Sequence, residues 1–217
     1  MNRLPVLFAA LALAVIAAAV GIGLVVANDD DTSSGMGQGM MVAGSTSTPG
    51  WWDDESWSSM MGAQTSPASE QEYLVEMIAH HRDAIAAATE LARSDRPQMR
   101  ALGESIVSGQ SAQVEQMTAW LDAWYPDRPT AADYEPMMRD LSGLSGDELD
   151  RTFLEDMVGH HMVAVMMSQH LLFRGTDHEQ VAALAESIRD DQHAEIIQMQ
   201  GWLSRWFDAG PVGMMMS

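Results

Sequence analysis

Two short stretches of this chain, Met77-Ile78-Ala79-His80-His81 and Met157-Val158-Gly159-His160-His161, stand eighty residues apart with the same spacing. About forty residues after each comes a Met followed by Trp-Leu-x-x-Trp: Met117, Trp120, Leu121 and Trp124, then Met199, Trp202, Leu203 and Trp206. Phe153 stands for Tyr73, Leu171 for Leu91 and Ile188 for Ile106. The offset grows from 80 to 82 between the two arms of the pattern, because one turn is two residues longer. Such a chain reads as two copies of one unit, so both halves should reach the same local structure.

The unit's period is helical. From about Glu70 the apolar residues recur at three and four, and no segment alternates with period two, which argues against strands. The pattern predicts a first helix over 70–94, with Ser69 as N-cap and a stop near Ser94-Asp95 ahead of Pro97. A second follows over 97–124, with Pro97 in its first turn and Pro126 beyond its end. Residues 125–144, which include Pro126, Pro129 and Pro136, form the connection. The third helix starts at Ser145-Gly146-Asp147-Glu148 and runs to Arg174, where Gly175 suits the C-cap, and the fourth covers 177–207. Short turns within each pair and one longer crossover describe an all-α fold over 70–207, a four-helix bundle made of two repeated helix hairpins.

The flanks have other tasks. Leu4 to Ala27 is an unbroken apolar run between Arg3 and Asn28-Asp29-Asp30-Asp31. Residues 1–27 therefore read as a signal peptide, with Val25-Val26-Ala27 at the cleavage point, or as an uncleaved N-terminal anchor in a transmembrane helix. Both readings put the remainder outside the cytoplasm, as a secreted, periplasmic or membrane-anchored protein. Residues 28–69 form a Gly/Ser/Met-rich stretch without period, expected to be a disordered tether. Its Met36, Met40, Met41, Met60 and Met61, with Trp51, Trp52 and Trp57, are either incidental composition or a soft-metal-capturing arm. Met214-Met215-Met216 in the tail 208–217 repeat the theme.

Charge and composition narrow the partners. A net charge of −20 and no basic stripe argue against nucleic acid and favour cations near the surface. The absence of Cys removes disulfides, thiolate zinc sites and thiol catalysis, but leaves thioether and imidazole as ligands. Nineteen Met in 217 residues exceed what core filling needs, since several lie where no core is expected.

Helical phase places Met157, His161, Ala164, Ser168 and Leu171 on one stripe of the third helix, flanked by His160. Met77, His81, Ala84, Ala88 and Leu91, flanked by His80, form the matching stripe of the first. Both stripes should face the core, with a thioether one turn before each imidazole. On the fourth helix Gln192, Glu195 and Met199 share a face with Ile188 and Leu203; Gln110, Gln113 and Met117 occupy those places on the second. Polar groups on a core face are costly unless they are paired or bind something. One explanation is a satisfied core in which each His pair bonds Gln110 or Gln192. The other is a metal site. The di-iron arrangement needs Glu-x-x-His, which is missing, and neutral N and S donors suit Cu(I), with Cu(II) at His-rich positions.

The pattern Met-Ile-x-His-His-x-x-Ala-Ile, then Leu-x-x-x-Ile-x-x-x-Gln, Met-x-x-Trp-Leu, resembles the family called domain of unknown function 305. In the first copy it rests on Met77, His80, His81, Ala84, Ile85, Leu102, Ile106, Gln110, Met117, Trp120 and Leu121. The second copy supplies Met157, His160, His161, Ala164, Leu184, Ile188, Gln192, Glu195, Ile196, Met199, Trp202 and Leu203. Ser111 and Val114 depart from the pattern, and Gln113 stands where an acid is usual. The resemblance implies a ferritin-like, exported helical bundle, some of whose relatives bind copper in metal tolerance.

Outside these stripes, Met162, Met166 and His170 recur at i, i+4 and i+8 of the third helix, facing away from the core stripe, with Met167 between them and His160. The first helix has Arg82, Ala86 and Glu90 there, an ordinary solvated set. Three such donors on adjacent turns fit a homodimer interface, a patch covered by the tether, or a Cu(I) site. The second copy, which adds His193 and Glu195 to this line, is the stronger candidate. The leading reading is a non-catalytic, exported copper-binding protein that buffers Cu(I) or delivers it to a partner. Its His ligands must be neutral, so binding should weaken as pH falls through roughly 6. The alternatives are a metal-free structural or partner-binding bundle and a ferritin-like metalloenzyme.

Overall fold

The computed structural model describes residues 66–127, 132 and 134–208. The apolar run 4–27, nearly all of the tether and the tail beyond Asp208 lie outside the described residues. No described helix is long and apolar enough to cross a membrane.

Four long helices make up the domain: α1 (Glu70–Thr89), α2 (Pro97–Trp124), α3 (Gly146–Arg174) and α4 (Glu179–Phe207). Their ends follow local chemistry. Ser69 caps α1 through its Oγ, which accepts from the Glu72 amide at 3.1 Å. The Glu72 carboxylate in turn takes the Ala68 amide at 2.6 Å, so one free donor of the first turn and the amide just before the cap are satisfied. Pro97 opens α2, and Gly175, at φ +89°, closes α3 in a conformation that side-chain-bearing residues rarely adopt. The first helix departs from its expected end: it turns into a 3-10 segment over Glu90–Arg93. Thr89 Oγ1 donates back to the Ile85 carbonyl at 2.8 Å, and the last turn tightens where Arg93 reaches the carbonyls of Leu141 (2.8 Å) and Leu144 (2.6 Å). The fourth helix starts two residues later than its periodicity suggests.

α1 lies mainly along α2 and α3 along α4, with a smaller contact between α1 and α3. Gly103 sets the closeness of the first pair. A Cβ there would stand 2.7 Å from the Ala88 carbonyl oxygen and 2.9 Å from Leu91 Cβ.

The core is divided. One apolar cluster holds Ala84, Leu91, Met99, Ile106, Phe153, Met157, Met199 and Leu203. The other holds Tyr73, Met77, Met117, Leu121, Met167, Leu171, Val181 and Ile188. Each takes the start of one helix and the end of its neighbour, so the clusters occupy opposite ends of the bundle. Between them in the chain order of α1 and α3 fall His80, His81, His160 and His161, all fully buried.

Each end carries a clasp built on a buried carboxylate. At one, Glu70 accepts from His178 Nδ1 (2.6 Å), the His178 amide (2.9 Å) and the Tyr125 hydroxyl (2.9 Å). His178 lies flat on Trp124, with ring centroids 3.7 Å apart and planes 3° from parallel. At the other, Asp150 pairs with Arg96 at 2.7 Å, and Arg96 sits 5.0 Å over Trp206 and 5.2 Å over Phe207. Asp150 follows Glu70 by 80 positions, and His178 and Trp206 follow Arg96 and Trp124 by 82.

Candidate metal centre

The four imidazoles lie at the middle of α1 and α3, where the two helices meet. His80 and His160 rings meet with centroids 3.7 Å apart and planes tilted by 39°, and His81 and His161 stand 6.2 and 6.3 Å from their chain neighbours. His80 and His160, expected on the flank of each stripe, are buried as completely as His81 and His161.

The second-helix partners differ from the expected ones. His81 Nε2 donates to Gln113 Oε1 at 2.7 Å, and His161 Nε2 donates to Glu195 Oε2 at 2.7 Å. Gln110 and Gln192, one turn earlier, are buried but leave Gln110 Oε1 and both Gln192 side-chain atoms without hydrogen-bond partners. A helical stripe fixes direction but not depth, and three residues of advance along the helix bring Gln113 and Glu195 to the ring nitrogens.

His80 Nε2 donates to the His160 carbonyl at 2.9 Å. His160 Nε2 faces the Asp83 carboxylate at 3.4 Å and the Tyr134 hydroxyl at 3.5 Å. Asp83 and Tyr134 carry no signal in helical periodicity. Asp83 is half-buried on α1 and accepts from the Tyr134 hydroxyl (3.1 Å) and the Met137 amide (2.8 Å). The connection is held on its other side by Arg139, whose guanidinium meets Asp156 at 2.7 Å and whose amide donates to it at 3.0 Å. It thus lies across the layer from α1 to α3, with Tyr134 edge-on to His80 at 6.3 Å.

These bonds fix the tautomers. A carbonyl, an amide oxygen and two carboxylates are acceptors, so each Nε2 carries the proton and each Nδ1 keeps its lone pair. All four Nδ1 atoms are buried and have no hydrogen-bond partner. An imidazole whose far N–H is tied to an acceptor is the usual state of a metal-ligating histidine. The residues therefore fit a soft or borderline cation. Among the described residues, no group of three His, Asp or Glu side chains is arranged to hold a metal ion by itself.

Burial also disfavours the charged form of three of the four imidazoles. It drives His81 down to about 3, against the hydrogen bond to Gln113, with His160 and His161 adding to the fall. Burial lowers His80 well below its ordinary value, helped by the neighbouring imidazoles, and lowers His160 despite the Asp83 bond. Asp83 would rise through burial, but the bonds from His160, the Met137 amide and Tyr134 outweigh it and hold it low. The expectation that ligation weakens near pH 6 assumed solvated imidazoles, whereas burial moves His80, His81 and His160 below that range.

The thioethers divide between the clusters. Met77 and Met117 are buried in one, Met157 and Met199 in the other. His193 points outward and is exposed, so it does not join the layer; Glu195 does. Met166 is exposed and His170 half-buried, while Met162, expected wholly on the outer side, packs partly against the first cluster.

A four-helix bundle with paired histidines buried at its midpoint is the class of protein these features define. The model of the DUF305 family, a domain of unknown function, matches residues 26–121 and 70–203, and the chain belongs to this family. Among solved structures, CopM in its Cu(I)-bound form is 30% identical, with a TM-score of 0.57 over 64% of this chain and 98% of that one. CopM in the apo form gives the same identity and TM-score. A Streptomyces coelicolor DUF305 protein, described as secreted, is 25% identical with a TM-score of 0.57, covering 63% of this chain and 93% of that one. No curated protein matches the chain.

Proposed function

We propose that the chain is an exported copper-binding protein that holds Cu(I) in the imidazole layer and buffers it, or hands it on, in the cell envelope. The observation that carries this reading is the set of four buried Nδ1 lone pairs without partners. Leaving one such group unsatisfied in a dry interior costs about 1–3 kcal/mol, and four together make sense for a layer with a ligand. The donors are neutral, so a monovalent soft ion brings little unbalanced charge into the core. The resemblance to CopM, solved with Cu(I), Cu(II) and Ag bound, supports copper or a similar soft ion, and the secreted relative supports export.

The second pair is the better-supported half of the site. His160 and His161 both lean on carboxylates, Asp83 and Glu195, which raise the basicity of the opposite nitrogen. His80 and His81 lean on a carbonyl and an amide. A metalloenzyme would need open carboxylates, and both Asp83 and Glu195 are engaged as acceptors.

Competition of the full chain with a chromophoric Cu(I) chelator tests the proposal. His161→Gln should lose affinity by at least tenfold while far-ultraviolet dichroism stays helical. Equal affinity in wild type, His81→Gln and His161→Gln would instead leave the bundle as a metal-free scaffold, a reading favoured by the fact that each Nε2 already has a partner.

A further inference from the structure

The i, i+4 pairing of Met with His that lines the core, Met77 with His81 and Met157 with His161, recurs once more on α3 as Met166 with His170. Here it faces outward. α3 is continuous from Gly146 to Arg174, so Met162, Met166 and His170 stand on successive turns, with neighbouring Cβ atoms about 5–6 Å apart. Met166 is 38% exposed, Met162 and His170 are half-buried, and all three are reached from one flank of the helix.

His170 makes no hydrogen bond, ion pair or ring contact with any described residue, whereas the four core histidines and His178 all do. Among the described residues its imidazole is therefore unpaired, beside an exposed thioether. On α1 and the 3-10 segment after it the corresponding positions are Arg82, Ala86 and Glu90, which offer no soft donor. We propose that Met162, Met166 and His170 form a second site for a soft monovalent cation, Cu(I) or Ag(I), on the outer face of α3 and independent of the buried layer. Met166 and His170 provide two-coordinate binding, with Met162 one turn away as the third donor. Thioethers carry no proton to displace, and the acidic surface of the chain raises the local cation concentration.

This site takes its cellular meaning from the copper reading above, but its chemistry stands without it. Phe173, 90% exposed one turn beyond His170, extends the same flank and makes an apolar contact with a second copy the competing explanation.

Titration of the full chain with Ag(I), followed by methionine methyl NMR and native mass spectrometry, separates the cases. The Met162 and Met166 methyl signals should shift on binding. Met166→Leu and His170→Gln should each bind one equivalent fewer, with the Met157 response preserved. Unmoved Met166 signals, or unchanged stoichiometry in both variants, would overturn the proposal. So would unchanged stoichiometry joined to loss of a dimer in Met166→Leu, which would assign the flank to self-association. A Met166 response with Met157 silent would uphold the outer site and refute the buried one.

Discussion

Protonation of the buried histidines should make the bundle less stable as the pH falls from 7.5 to 5, without weakening the proposed metal site over that range. The unfolded chain takes up protons on its histidines near 6.5, whereas His81 in the folded protein does so only at about 3. Stability held above 6.5 is therefore lost as the pH falls, by about 1.4 kcal/mol per unit for each such group. At pH 5, 1.5 units below the unfolded value, His81 alone accounts for about 2 kcal/mol. His80 and His160, also lowered by burial, act in the same direction. Glu76 opposes them. Burial, reinforced by Glu72, raises it to about 7, so the folded state gains a proton on Glu76 as the pH drops and is stabilised by it. The measurement therefore belongs in a Glu76→Gln background, with urea unfolding at pH 7.5, 6.5, 5.5 and 5. Adding His81→Gln should flatten the pH dependence by about 2 kcal/mol between the extremes, whatever it does to stability at pH 7.5. Cu(I) affinity of the folded protein should stay level over the same range. An unchanged slope in His81→Gln, or an affinity that falls with a midpoint near 6, would refute the dry-layer argument.

Exchanging the acceptors should move affinity between the pairs: Glu195→Gln lowers Cu(I) affinity by about 10- to 100-fold, and Gln113→Glu raises it, both read by chelator competition. Tyr73→Phe strands the buried Ser168 hydroxyl, now 2.9 Å from the phenol, and should cost about 1–3 kcal/mol. The double variant with Ser168→Ala should recover most of that, because it reproduces the Phe153 and Ala88 found 80 positions away. Gly103→Ala should destabilise by about 1–3 kcal/mol through its clash with Ala88 and Leu91, whereas Gly109→Ala, with nothing within 4 Å, should stabilise by about 0.5–1 kcal/mol in urea unfolding.

The helices were readable because their limits are local. Ser69, Pro97 and Gly175 act within one turn of themselves, and periodicity needs no knowledge of neighbours. The inward phase of His81 and His161 followed from the same arithmetic. What escaped it depends on contacts across the chain. Asp83 meets Tyr134 over 51 positions through a connection without period, and the 3-10 end of the first helix answers to carbonyls of the same connection. The exchange of Gln110 and Gln192 for Gln113 and Glu195 is a matter of one turn, set by how far α2 and α4 slide along their partners. The pH dependence escaped for a related reason: direction toward a core can be read from phase, but dryness cannot.

Comparing positions 80 or 82 apart shows where the two halves of the chain differ, and the differences come in matched sets. Tyr73 with Ser168 faces Phe153 with Ala88: a hydroxyl pair at one place, an apolar pair at the other, and no lone polar group in either. Such replacements conserve polar satisfaction and carry no functional message. The clasps differ by one member, a permanent cation in Arg96 against a titratable one in His178, each still paired with its carboxylate. The imidazole layer is different. Asp83 has Val163 as its counterpart and Glu195 has Gln113, so both carboxylates serve the second pair and nothing restores the balance at the first. Packing alone would have favoured equal partners on both sides, because an extra buried or half-buried carboxylate has to be satisfied. An imbalance held at the imidazole layer, while polar pairs elsewhere in the bundle are matched, is in keeping with the proposal that this layer holds a cation.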